Sequence, residues 1–159
     1  MKCGKHAVNN LLGCPQYVDA DLDRACDLLM ASLPIADHRS MHTRRNGWYS
    51  HSVLAKLFDM TLPCKWMLLL VPVQPDSYDA FMADESLEGI LINKNNVHWV
   101  CIAKRSGHCF YVDSCYFPRT ITPANFSDIM TMFPMSFHVA LNSAQAAMGE
   151  EDLERMRSS

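Results

Sequence analysis

Cys3-Gly4-Lys5-His6-Ala7-Val8-Asn9-Asn10-Leu11-Leu12 is the stretch on which the fold turns. Ala7, Val8, Leu11 and Leu12 recur at i, i+1, i+4 and i+5, which is one apolar stripe of a helix. Gly13 suits the C′ position, and Pro15 prevents continuation. Cys3 then stands at the open end of the helix, where the first N–H groups have no intrahelical partner. That placement favours an anion, and so favours thiolate over thiol. The same N–H groups suit the oxyanion of a tetrahedral intermediate. An ordinary first helix that happens to begin with a cysteine accounts for these residues equally well, so the rest of the chain decides.

The chain has 159 residues, enough for one domain with a real core. Apolar residues make up 49% and charged residues 19%, an ordinary globular balance. The net charge of −3 provides no basic field for nucleic acid. No run of apolar residues is long enough to span a membrane. His6, Asn9 and Asn10 break the first apolar stretch, so it does not read as a signal peptide. The seven cysteines (Cys3, Cys14, Cys26, Cys64, Cys101, Cys109, Cys115) are odd in number and lack a disulfide-scaffold spacing. A reducing compartment is expected, cytoplasmic or nuclear (a host cell's, if the chain is viral or bacterial). No CxxC pair exists, and His98, Cys101, His108 and Cys109 fall on neighbouring strands with alternating directions. No metal and no cofactor are expected.

Outward from the first helix, Leu22, Ala25, Cys26, Leu29, Met30 and Leu33 predict an amphipathic helix over Asp19–Leu33, with Asp19 as cap and Pro34 as stop. Residues 35–47 read as a polar surface loop. Gly47-Trp48-Tyr49-Ser50 leads into a third helix over Ser50–Phe58. Trp48 and Tyr49 suit either contacts with a partner or packing at the core edge. Trp66–Val71, an apolar run between prolines, predicts a buried strand. A short helix over Asp76–Ala83 follows, then strands Ile90–Lys94, Val97–Ala103 and His108–Asp113, with turns at 95–96 and 105–107. Thr122-Pro123 opens a helix that Pro134 stops, and Met135–Leu141 is a last strand. Helices first and then an antiparallel sheet argue for α+β. Residues 1–141 form the domain, and 142–159 a tail or loose helix.

A thiolate needs a base, and the base needs an orienting group. With a turn centred between residues 105 and 106, hairpin partners sum to 211, which sets Asp113 opposite His98. The aspartate would accept from Nδ1–H and leave Nε2 facing a thiol. Cys3, His98 and Asp113 then form a candidate catalytic triad. A structural cross-strand pair, or a slip in register, is the competing account. His6 is close enough to Cys3 on the helix to touch the thiol, but no carboxylate is placed to orient it.

These residues resemble a family. The opening stretch is similar to the Cys-x-x-His-x-x-Asn-Asn-Leu-Leu motif of Josephin domains, the deubiquitinating cysteine proteases of the ataxin type. Gly47-Trp48-Tyr49-Ser50 resembles the family's entry to a helix, His98-Trp99 its His-Trp pair, and Asp113-Ser114 its Asn/Asp-Ser pair, fifteen positions after the histidine. The resemblance implies a papain-like fold with N-terminal helices packed on an antiparallel sheet. It implies hydrolysis of the bond after the ubiquitin C-terminal Gly, with Cys3 as nucleophile, His98 as base and acid, and Asp113 as orienter. Ubiquitin or polyubiquitin chains, or a ubiquitin-like modifier, are the implied partners of a monomer. Trp48, Tyr49, Ser50, His51 and Trp99 are the candidate substrate contacts.

The sequence departs from the family in three places. The family carries a glutamine five positions before the nucleophile as an oxyanion donor, and only Met1 and Lys2 precede Cys3 here. The long helical hairpin after the second helix is reduced to residues 35–47, and the third helix opens with His51-Ser52 instead of an apolar face. Two rival readings remain: a non-catalytic ubiquitin-binding module, and a papain-like hydrolase or acyltransferase acting on another amide.

Overall fold

The first helix, α1 (Cys3–Leu12), lies across a six-stranded sheet. It buries Cys3, Gly4, Ala7, Val8 and Leu11. The computed structural model describes residues 3–32, 39–43, 48–61, 65–113 and 116–142. The remaining elements are α2 (Asp19–Ser32), α3 (His51–Met60), β1 (Trp66–Pro72), α4 (Tyr78–Ala83), β2 (Leu87–Lys94), β3 (His98–Arg105), β4 (His108–Val112), β5 (Arg119–Thr120), α5 (Pro123–Met132) and β6 (Ser136–Leu141). Strand order is β1-β6-β2-β3-β4-β5, with every pairing antiparallel. The fold is therefore α+β, as the order of elements predicts.

Strand alternation sorts the core into two layers. Leu91, Trp99, Cys101, Phe137 and Val139 face α1, α2 and α3. Ile90, Ile92, Val100, Ile102 and Cys109 face Phe81 of α4 and Phe126, Ile129 and Met130 of α5. The central strands β2 and β3 are buried on both faces, which is why they read as continuous apolar runs.

Several local expectations change. Trp66–Val71 is not a buried strand: β1 is the sheet edge, only Leu68 is buried, and Leu70 and Val71 are exposed. A continuous apolar run does not reveal whether both sides are covered. Asp19 is not the cap of α2 but its first residue, and the Asp21 carboxylate accepts the Val18 N–H at 2.9 Å instead. Ser50 caps α3 from outside it, accepting the Val53 N–H. The short strand β5 was not legible in the sequence. Leu33, most of the loop over 35–47, and residues 143–159 of the expected tail lie outside the described residues.

At Gly89 of β2, the Leu11 side chain of α1 packs close against the sheet backbone. A Cβ there would come within 2.4 Å of the Ile102 carbonyl oxygen and 2.7 Å of Leu11 Cγ. The absence of a side chain at this position lets the helix seat on β2 and β3. Gly89→Ala should therefore destabilise the fold by roughly 1–3 kcal/mol, the usual cost of overpacking. Urea unfolding checks this, and an unchanged midpoint would show that α1 does not depend on the contact.

Candidate active site

The site forms where the start of α1, the start of β3 and the end of β4 come together. Cys3 is the first residue of α1 and only 2% exposed. Two devices hold the other end of the helix. Gly13 adopts φ +75°, and its N–H reaches the Asn9 carbonyl at 2.9 Å. The Arg105 guanidinium, from the end of β3, donates to the carbonyls of Asn10 (3.2 Å) and Leu11 (2.9 Å). A cation at the C-terminal end of a helix both fills the orphan carbonyls and suits the dipole. Asn9 is occupied elsewhere, since its amide clasps the Tyr17 backbone through bonds of 2.9 and 3.0 Å.

His98 opens β3, and its Nε2 lies 3.1 Å from Asp113 Oδ1 just past the end of β4. The register that brings them together is not the expected one. Arg105 faces His108 and Cys101 faces Val112, so partners sum to 213 instead of 211. The turn contains only Ser106 (φ 51°) and Gly107 (φ 78°), the left-handed pair that suits a two-residue hairpin. His98 and Asp113 are therefore diagonal neighbours. A shift of two leaves both side chains on the same face, whereas a shift of one would have parted them. Diagonal Cα atoms stand about 7–8 Å apart, a gap that two long polar side chains can close.

The nitrogen assignment changes for the same reason. The distal Nε2 reaches across to Asp113, not Nδ1, which leaves Nδ1 as the nitrogen that can serve a thiol. Nδ1 is the ring nitrogen nearer the backbone, and the backbone beside it runs toward the nucleophile. The backbone N–H of Trp99, the next residue, and those at the start of α1 favour the charged form of the Cys3 sulfur.

The expected preference for thiolate is overturned. Burial pushes the Cys3 thiol above the ordinary cysteine value, and the three backbone donors only partly offset it. The helix N-terminus does supply the donors, but desolvation of the sulfur outweighs them.

The expected substrate contacts also need correction. Trp48, Tyr49, Ser50 and Trp99 are all buried. The Trp99 indole donates to the Tyr49 carbonyl at 2.6 Å, the Tyr49 hydroxyl donates to Asp23 at 2.8 Å, and Ser50 Oγ meets His42 Nδ1 at 2.8 Å. Together these residues tie α2, α3 and β3 into one wall behind the site. Aromatic residues before a helix suit packing and docking equally well by sequence, and only burial separates the two. His51 alone stays half-exposed, its ring 5.2 Å from that of Phe137. His6 borders a groove on the outer side of α1 with Lys5, Asn9 and Tyr17. Among the described residues, no three His, Cys, Asp or Glu side chains converge as metal ligands would. Cys101 and Cys109 belong to opposite core layers.

Comparison with known families agrees with the fold. The Josephin family model matches residues 1–135, and the chain belongs to the Josephin family. That membership carries a papain-like fold and, at the level of class, hydrolase chemistry of the ubiquitin-protease type. No curated protein matches the chain.

A thiol held up by burial ionises late. Alkylation of Cys3 by iodoacetamide, followed on its own peptide by mass spectrometry, should keep rising with pH beyond the point where free cysteine levels off. A rate already flat from about pH 6 would instead mark a preformed thiolate–imidazolium pair, as low-pKa catalytic thiols show.

Proposed function

We propose that the protein is a thiol-dependent deubiquitinase that cleaves the isopeptide bond after the ubiquitin C-terminal Gly, with Cys3, His98 and Asp113 as its catalytic triad. The observation that carries this reading is the His98–Asp113 pair at 3.1 Å beside a strand backbone whose next N–H contacts the Cys3 sulfur.

The chemistry follows from the geometry. Because burial keeps the thiol protonated, His98 Nδ1 takes its proton as the sulfur attacks. The C–S bond forms and the carbonyl electrons move to oxygen, next to the backbone N–H of Cys3. The imidazolium that results is stabilised by the Asp113 carboxylate through Nε2–H. It returns its proton to the lysine amine as the C–N bond breaks. Water, deprotonated by the same Nδ1, then attacks the thioester, so that the C–O bond forms, the C–S bond breaks, and the thiol recovers its proton. A cysteine only 2% exposed also favours an acyl group that ends in Gly, which brings no side chain to the approach.

The competing non-catalytic reading and the reading of another amide substrate are separated by one experiment. Ubiquitin bearing a C-terminal thiol-reactive group should form a covalent adduct that disappears in Cys3→Ala. In turnover of a diubiquitin, Asp113→Ala should lower kcat by about 100-fold or more, because the imidazole loses the acceptor that orients it. Absence of an adduct from folded wild-type protein would contradict the proposal. A general thiol probe that still reacted would then point to another amide.

A further inference from the structure

Beyond the imidazole, on the Asp113 side, lies a cavity of about 340 Å³ lined by Lys94, Tyr111, Asp113, Tyr116, Phe117 and Arg119. It adjoins the site, because Asp113, which meets His98, is also one of its lining residues. Lys94 ends β2, Tyr111 belongs to β4 and Arg119 begins β5. The Tyr116 N–H donates to the Asp113 carbonyl at 2.9 Å, and Tyr116 and Phe117 line the cavity with the aspartate.

Tyr116 is 76% and Phe117 95% exposed, two large aromatic side chains left in water next to the catalytic pair. Lys94 and Arg119 bring two positive charges in a chain of net charge −3. Arg119 lies over the Tyr111 ring at 4.8 Å and Lys94 over Phe133 at 5.4 Å, so both cations are laid along aromatic faces. The one acidic side chain of the lining, Asp113, is 4% exposed and engaged with His98. What this cavity offers a ligand is thus aromatic surface and positive charge.

The direction of the reaction says which part of a substrate lies here. The acyl carbon must sit at the Cys3 sulfur, at the start of α1. The leaving amine must sit at the imidazole that protonates it. The polypeptide attached to that amine therefore continues past the imidazole, toward Asp113 and the cavity behind it. We propose that this cavity holds the leaving side of the substrate, and that it selects an acceptor polypeptide with acidic residues flanking the modified lysine and apolar surface to set against Tyr116 and Phe117. The inference rests on the isopeptidase reading above and gives that reading a substrate preference.

Three substrates sharing one ubiquitin acyl part test it. The first is ubiquitin C-terminal ethyl ester, whose leaving group is too small to reach the cavity. The other two are isopeptides to a peptide lysine flanked by glutamates or by lysines. Wild-type protein should cleave the glutamate-flanked peptide about tenfold better in kcat/KM, since each exposed ion pair contributes up to about fivefold. Lys94→Glu with Arg119→Glu should abolish or reverse that preference, and Phe117→Ala should lower both peptide rates. All these variants should hydrolyse the ethyl ester at close to the wild-type rate, which also reports that they are folded. Equal cleavage of the two peptides by wild-type protein would overturn the inference and leave the isopeptidase reading standing. So would variants that lose ester and peptide hydrolysis in equal proportion. Failure of wild-type protein on all three substrates would overturn the isopeptidase reading, and this inference with it.

Discussion

The seating of one helix across two strands is the contact on which the rest depends. α1 buries Ala7, Val8 and Leu11 against the layer that holds Leu91, Trp99 and Cys101. The fit needs bare backbone at Gly89, where Leu11 approaches, and it is locked by the Arg105 bonds to the last carbonyls of the helix. The strand that supplies Arg105 at one end supplies His98 at the other. One β-strand thus fixes the far end of the helix and carries the proposed base for the near end. Cys3 and the neighbour of His98 are brought into contact by that arrangement.

A cost comes with this design. A helix seated deeply enough to be held by its apolar stripe also buries its first residue, and burial opposes thiolate. The N-terminal N–H groups soften the effect without reversing it. In the proposed mechanism the imidazole then acts as a true base instead of a counter-ion, and its orientation gains importance. Asp113 meets that need from a strand end at 4% exposure, where water competes little for the hydrogen bond.

Much of this was legible in the sequence, for physical reasons. The i, i+1, i+4, i+5 stripe in Cys3–Leu12 and the Gly13 stop describe a local helix, and local patterns survive folding. Both members of the His98–Asp113 pair were readable, because hairpin pairing is arithmetic and a two-residue error in the turn preserves the face. The nitrogen that meets the aspartate was not, since it depends on whether the pair is opposed or diagonal. The roles of Trp48, Tyr49 and Trp99 were not either, because an aromatic side chain suits a core and a docking surface alike until its neighbours are known. Arg105, Gly89 and the cavity around Phe117 are long-range features. Arg105 stands more than ninety residues from the carbonyls it fills, and no local pattern announces such a contact.

The tautomer and charge of His98 test the central claim most directly. Nitrogen-15 chemical shifts of the His98 ring at neutral pH, compared between wild type and Cys3→Ala, would report them. The account predicts a proton on Nε2, bonded to Asp113, and an Nδ1 whose shift changes when the sulfur is removed. An Nε2 that carries no proton, or an Nδ1 signal indifferent to the loss of Cys3, would contradict it.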